Sequence, residues 1–252
     1  MEPILPFITA GDPDLAGLPG LLARFCALGV RSLELGLAHS DPVADGPVLQ
    51  AAAQRALLAG ASPRRVLETL AGASPSPDLV LFTYFNPLLQ LGRDLVPLLR
   101  PTPVKALLVV DLPPGEEAPW EAELLQAGYP IIPLLSPTTP PERARALLAA
   151  RPDPGPGAPF AQRFAYVVAR MGVTGDGQAT AFAPLQARLQ ALRSHTDRPL
   201  AVGFGLDQPE LLERVRSLGA TPVIGSALVQ ALHQGQSLEA FLGPRMGRAH
   251  GA

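Results

Sequence analysis

Eight short apolar runs, separated by stretches of helical periodicity, recur from one end of this chain to the other. They fall at 4–9 (ILPFIT), 31–37 (RSLELGL), 79–85 (LVLFTYF), 106–112 (ALLVVDL), 130–135 (PIIPLL), 164–170 (FAYVVAR), 199–204 (PLAVGF) and 221–225 (TPVIG). Runs of this length, bounded by Gly, Pro or polar residues, read as strands covered on both faces. Between them lie amphipathic helices. Residues 208–219 place Leu211, Leu212, Val215 and Leu218 on one face and stop at Gly219, a C-cap residue. Residues 184–195 open on Pro184 in a first turn and space Leu185, Leu189 and Leu192 by four and three.

Strict alternation of strand and helix demands a parallel sheet with right-handed crossovers. Eight such units predict an α/β fold of the closed (β/α)8 barrel type. An open sheet would announce itself by a glycine-rich dinucleotide turn after the first strand, and Thr9-Ala10-Gly11-Asp12-Pro13 is not one. The 252 residues match the length of one such barrel. A single domain over 1–252 is therefore expected, with the Pro/Gly-rich stretch 151–158 as an exposed loop and 243–252 as a flexible tail.

Composition narrows the function. A hydrophobic content of 47% supplies a large core, while a net charge of -2 without a basic stripe argues against nucleic-acid binding. The lone cysteine, Cys26, can form neither an intramolecular disulfide nor a thiolate metal cluster, and reads as a small buried hydrophobe. No apolar run approaches the roughly 18 residues of a membrane span. The start, Met1-Glu2-Pro3-Ile4-Leu5-Pro6, lacks the basic region and long apolar run of a signal peptide, so a cytoplasmic location is expected.

Glu34 interrupts an otherwise apolar strand. Alternation puts Leu33, Leu35 and Leu37 on one face and Glu34 with Gly36 on the other, so that Glu34 points into the barrel. A carboxylate buried there is either a structural partner of a buried arginine or a catalytic group. The loop that follows, Ser40-Asp41-Pro42-Val43-Ala44-Asp45-Gly46-Pro47, holds two carboxylates where barrel enzymes place their chemistry; the alternative is a pair of solvated turn and cap residues. Glycines end three successive strands: Gly172 and Gly175, Gly203 and Gly205, then Gly225 followed by Ser226, which is placed to cap a short helix over 227–232. Backbone N–H groups near the last strands form the phosphate site of many barrels.

Other chemistries lack their residues. His39, His195, His233 and His250 show no metal-ligand spacing, and no nucleophile elbow or Walker loop is present. The only lysine, Lys105, lies before the expected fourth strand, at the end of the barrel opposite the chemistry, which excludes a Schiff base there. Carbon–carbon cleavage would have to proceed by acid–base catalysis.

The segments PFITAGDP (6–13), LELG (33–36) and SDPVADGP (40–47) resemble the signature of the tryptophan synthase α subunit family. So do TYFNP (83–87), DLPP (111–114), PTT (137–139), RMGVTG (170–175), VGFG (202–205) and GSA (225–227), in family order across nearly the whole chain. The resemblance implies a lyase that cleaves indole-3-glycerol phosphate to indole and glyceraldehyde 3-phosphate by a retro-aldol route. Glu34 matches the general acid/base and Asp45 the carboxylate that holds the indole N–H. Thr174 falls on the mobile loop that orders that aspartate. Gly175, Gly205, Gly225 and Ser226 match the phosphate-binding backbone, and Phe7, Tyr84 and Tyr166 wall the indole pocket. Asp41, Asn86 and Asp111 lie where the family meets a pyridoxal-phosphate-dependent β subunit in an α2β2 heterotetramer; the α chain itself binds no cofactor or metal.

Three departures from the family pattern stand out. The chain starts almost at the first strand, where relatives carry a helix that plugs the barrel floor; Ala38-His39 replaces proline plus an aromatic; and Asp176-Gly177-Gln178 is atypical. Two competing functions follow. A different phosphate-binding barrel of aromatic amino-acid biosynthesis would lack the Glu34/Asp45 pairing, and a non-catalytic accessory of the β subunit would show no turnover with its partner.

Overall fold

The computed structural model describes residues 2–151, 153–169, 178–203 and 208–246, with side chains from residue 182 onward in the third stretch. Eight parallel strands occupy the described residues: β1 (Leu5–Thr9), β2 (Ser32–Gly36), β3 (Asp78–Thr83), β4 (Val104–Val109), β5 (Leu134–Leu135), β6 (Ala165–Val168), β7 (Leu200–Gly203) and β8 (Thr221–Ile224). Their order, β4-β3-β2-β1-β8-β7-β6-β5, is that of a barrel opened between β4 and β5. A parallel bridge between Leu107 and Ile131 spans that seam, so the barrel is closed there by little more than one point of contact. Around the sheet run α1 (Leu18–Ala27), α2 (Pro47–Leu58), α3 (Pro63–Leu70), α4 (Phe85–Leu89), α5 (Leu95–Leu99) and α6 (Ala118–Gln126). They are followed by α7 (Pro141–Ala150), α8 (Phe160–Arg163), α9 (Gln178–Arg193), α10 (Pro209–Ser217), α11 (Ser226–His233) and α12 (Leu238–Leu242).

All eight strands coincide with apolar runs of the sequence, and their differences have local causes. Pro130 and Pro133 donate no N–H, which shortens the fifth strand from 130–135 to two residues. The third strand ends at Thr83 because Tyr84 turns the chain into α4, and the fourth begins at Val104, which puts Lys105 inside the strand near its start instead of before it. Pro184 does not open a helix but lies within α9. Gly219 closes the tenth helix as expected, with φ +72°. Cys26 is half-buried, one step off the core face of α1 formed by Leu18, Leu22 and Phe25. Gly243–Arg245, expected in the tail, form a 3-10 turn on which Met246 packs back to the core, and the Arg245 carbonyl accepts from Arg216.

Two separate apolar clusters show which way each strand residue faces. Leu33, Leu35, Leu37, Leu79, Leu81, Leu107, Val109, Val167 and Val202 pack outward against the helices. Leu5, Phe7, Val80, Phe82, Ala106, Leu108, Tyr166, Ala201 and Val223 form the inner cluster. The inner cluster is closed off beside the start of β6 by α8, which contributes Ala161 and is followed by Phe164; Phe160 stacks on Phe164 at 5.1 Å. Gln162 ties α8 across the barrel by donating to the carbonyls of Lys105 (3.0 Å) and Gly128 (3.1 Å).

Candidate functional site

Glu34 pairs in register with Phe7 on one side and Val80 on the other, both members of the inner cluster, so the parity of β2 delivers its carboxyl to the barrel interior. Its exposure is 0%, and neither carboxyl oxygen has a hydrogen-bond partner among the described residues. Among the described residues no arginine forms the ion pair that the structural alternative requires. An unpaired carboxyl in such a place favours its neutral form, and burial pushes Glu34 well above the usual carboxylate range. It sits on an inner face otherwise made of rings and aliphatic groups.

Those rings are Phe7, Phe82 and Tyr166. Phe7 meets Phe82 edge-on at 5.3 Å, and Phe82 meets Tyr166 at 6.5 Å. Phe7 and Tyr166 are among the expected wall residues; Phe82 is an addition that the register of β3 to β2 and β4 places on the inner face. Two glycines make room for this wall. A Cβ at Gly36 would lie 2.5 Å from the Phe7 ring, and one at Gly203 would overlap the Tyr166 hydroxyl. Burial pushes the Tyr166 phenol well above its usual range, and the charges of Glu34 and Asp45 add to that rise.

Asp45 is half-buried on the loop that leads from β2 into α2. A turn shapes this loop: the Val43 N–H donates to the Asp41 carbonyl and the Asp45 N–H to the Pro42 carbonyl, both at 3.0 Å. Tyr84, 3% exposed, reaches it from the end of β3, accepting the Ala44 N–H at 2.9 Å and donating to Asp45 Oδ2 at 3.3 Å. Burial raises Asp45, while the Tyr84 hydroxyl and the nearby His39 pull it back toward ionisation. Two carboxyls thus stand in contrasting settings, one dry and unpartnered and the other hydrogen-bonded at the mouth.

At β8, Gly225 occupies the N-cap of α11, with φ -115° and ψ -86°. Ser226 is the first helical residue and makes no side-chain cap, contrary to expectation; glycine at the cap position leaves the leading N–H groups of this eight-residue helix without a side-chain acceptor. Such an end suits an anion. Thr174, Gly175 and Gly205, the other expected residues of the loop and phosphate site, lie outside the described residues.

Asp41, Asn86 and Asp111 are exposed and follow β2, β3 and β4 in turn along one arc of the rim. Asp111 Oδ1 accepts the Phe85 N–H at 2.7 Å and so anchors the start of α4. Beside Asp41, a groove of about 660 Å³ runs between the β2 loop and α2, lined by His39, Pro42, Val43, Gln54 and Leu58 among others. Val43 and Leu58 are 75% and 82% exposed, far more than apolar residues of their size need be.

Comparison with known proteins agrees with this geometry. A family model described as tryptophan synthase alpha chain matches residues 2–242. The tryptophan synthase alpha chain of Gloeobacter violaceus is 43% identical over 232 residues, covering 90% of this chain and 80% of that one. That of Arabidopsis thaliana is 37% identical, covering 94% and 83%. Among solved structures, tryptophan synthase subunit alpha from Campylobacter jejuni superposes with a TM-score of 0.81 at 29% identity, covering 96% of this chain and 92% of that one. The tryptophan synthase complex from Pyrococcus furiosus gives 0.78 at 27%, covering 96% and 95%. The chain belongs to the tryptophan synthase alpha chain family.

Proposed function

We propose that Glu34 and Asp45 are the acid–base pair of a lyase that cleaves indole-3-glycerol phosphate into indole and glyceraldehyde 3-phosphate, the α reaction of L-tryptophan biosynthesis. The observation that carries this reading is the buried, unpartnered carboxyl of Glu34 on the ring-lined inner face of the barrel. Neutral Glu34 gives its proton to the indole carbon that bears the glycerol chain. The positive charge this creates on the ring is met at the N–H by the Asp45 carboxylate. Glu34, now ionised, takes the proton of the glycerol hydroxyl as the carbon–carbon bond breaks; the bonding pair returns to the ring, releasing indole and the aldehyde and restoring neutral Glu34. Acid, base and electrostatic roles thus fall to two side chains whose surroundings push them apart.

Phe7, Tyr84 and Tyr166 wall the indole; Gly225 and Ser226 at the α11 terminus, with Gly175 and Gly205, take the phosphate; and Thr174 orders Asp45. The rim formed by Asp41, Asn86 and Asp111 receives a β subunit that carries pyridoxal phosphate, in an α2β2 assembly, and the apolar groove beside Asp41 extends that surface. The α chain itself needs no cofactor. It acts as one (β/α)8 domain in the cytoplasm; among the described residues no helix is long and apolar enough to cross a membrane.

Indole release from indole-3-glycerol phosphate, with and without a β subunit, tests the reading. Turnover that rises with the partner and collapses in Glu34→Gln and Asp45→Asn is the expected result. Wild-type turnover in either variant would overturn the assignment, and none in the unmodified complex would leave an accessory of the β subunit.

A further inference from the structure

His39 stands at the rim where β2 gives way to the Asp45 loop, half-buried, with its ring centroid 5.1 Å from that of Tyr84 and the two planes tilted by 33°. Tyr84 is held at its far end by two bonds to the loop, the Ala44 N–H at 2.9 Å and Asp45 Oδ2 at 3.3 Å. The second is long for a bond between oxygens, so its strength depends on the tilt of the phenol ring. The His39 imidazole lies against that ring and also exerts an attraction on the Asp45 carboxylate. Among the described residues, the charged groups around this stack are Asp45, Asp41 two residues beyond His39, and Asp111, which acts on Tyr84 from the end of β4.

We propose that His39 is a positioning residue that acts through Tyr84: its ring fixes the phenol, and the phenol hydroxyl holds the Asp45 carboxylate toward the substrate. The inference rests on the role assigned to Asp45 above. It gives His39, which touches no reacting atom in that scheme, a share in the turnover step, and it makes Tyr84 more than a wall of the indole pocket.

Steady-state kinetics of the complex with its β subunit test this with Tyr84→Phe, His39→Ala, His39→Phe and the double variant His39→Ala/Tyr84→Phe. Tyr84→Phe is expected to lower kcat about tenfold, the worth of one lost hydrogen bond to a charged group, with KM within about twofold. It should also move the acid limb of the kcat/KM profile to higher pH, because Asp45 loses the hydroxyl that favours its ionised form. His39→Ala should reproduce both changes in smaller measure, and His39→Phe, which keeps a flat ring against the phenol, should recover most of kcat. The double variant should be no slower than Tyr84→Phe alone. If His39→Ala does not fold, His39→Gln serves as the ring-less variant. Multiplying effects in the double variant, or wild-type kcat and acid limb in both ring-less variants, would overturn the proposal. Asp45→Asn separates the two levels: full turnover there removes the acid–base reading and this inference together, whereas a dead Asp45→Asn beside multiplying effects removes the inference alone.

Discussion

Glu34 and Phe7 face each other across the β1–β2 ladder at one level of the barrel, an ionisable carboxyl paired in register with an aromatic ring. The ring and its neighbours keep water away, and this sets the sign of a pH effect on stability. Burial raises the folded-state carboxyl above its value in the unfolded chain, near 4.5. Between those two values the folded state binds more protons than the unfolded one, so stability is complete below about pH 4.5 and declines as pH rises through the window. Glu34→Gln removes the ionisable group. The Tm difference between the variant and the unmodified chain should be smallest near pH 4 and widen in favour of the variant toward pH 8, by at most about 1.4 kcal/mol per pH unit. A difference that stays constant with pH would mean that the carboxyl is ionised and stabilised in the fold.

Gly203 and Tyr166 share space that a methyl group would fill. Because a Cβ at Gly203 overlaps the Tyr166 hydroxyl, and the ring is enclosed on all sides, Gly203→Ala must displace the phenol or the end of β7. Overpacking of this kind costs about 1–3 kcal/mol, or a fall in Tm of roughly 2–12 °C for a chain of this length. Tyr166→Val in the same chain removes the obstructing ring and should return part of the lost Tm. Thermal melts of the single and double variants check this; equal melts would show that the ring yields freely.

How far the sequence reveals this site depends on the range of each interaction. Glu34 is legible because one charged residue breaks a period-2 apolar strand, and the parity that exposes it is a local property. Phe82 is not, because every position of β3 after Asp78 is buried, so periodicity alone does not say which face is inner; only the register to β2 and β4 does. The bond from Tyr84 to Asp45 joins residues 39 apart, and no local pattern encodes it. The helix α8 is only four residues long and follows a proline- and glycine-rich loop, and it forms because the barrel needs an apolar closure there. The curtailed β5 could have been read from Pro133, whose missing donor interrupts the ladder.

The weak seam between β4 and β5 gives Arg151 an unusual duty. At 7% exposure it donates to the carbonyls of Leu112 (3.0 Å) and Ile132 (3.4 Å) and pairs with Glu121 at 3.2 Å. It thus satisfies carbonyl groups on both sides of the gap. Arg151→Met keeps an unbranched side chain but orphans these acceptors and leaves Glu121 half of a broken pair. A loss of about 3 kcal/mol follows, seen as a Tm lower by roughly 6–12 °C. Hydrogen exchange should show faster amide exchange at Leu107 and Ile132 than elsewhere in the sheet. Uniform exchange across all strands would mean that the seam is held by other contacts.

Arg55 and Asp12 form a fork, with Nε to Oδ1 at 2.9 Å and Nη2 to Oδ2 at 2.7 Å, and the Asp12 side chain is only 5% exposed. The pair ties α2 to the loop after β1, and α2 begins two residues beyond Asp45. The clamp thus anchors α2, the helix into which the Asp45 loop leads. Arg55→Ala leaves a buried carboxylate unpaired; because the arginine itself is about one-third exposed, solvent screens part of the interaction and the cost is about 1–3 kcal/mol. Arg55→Lys retains the charge but not the planar fork, so it should recover only part of the stability. Indole release should fall in the order unmodified, Arg55→Lys, Arg55→Ala, with the loss in kcat because the displaced group is Asp45 and not the phosphate site. A loss confined to KM would place the effect of the clamp on substrate binding instead.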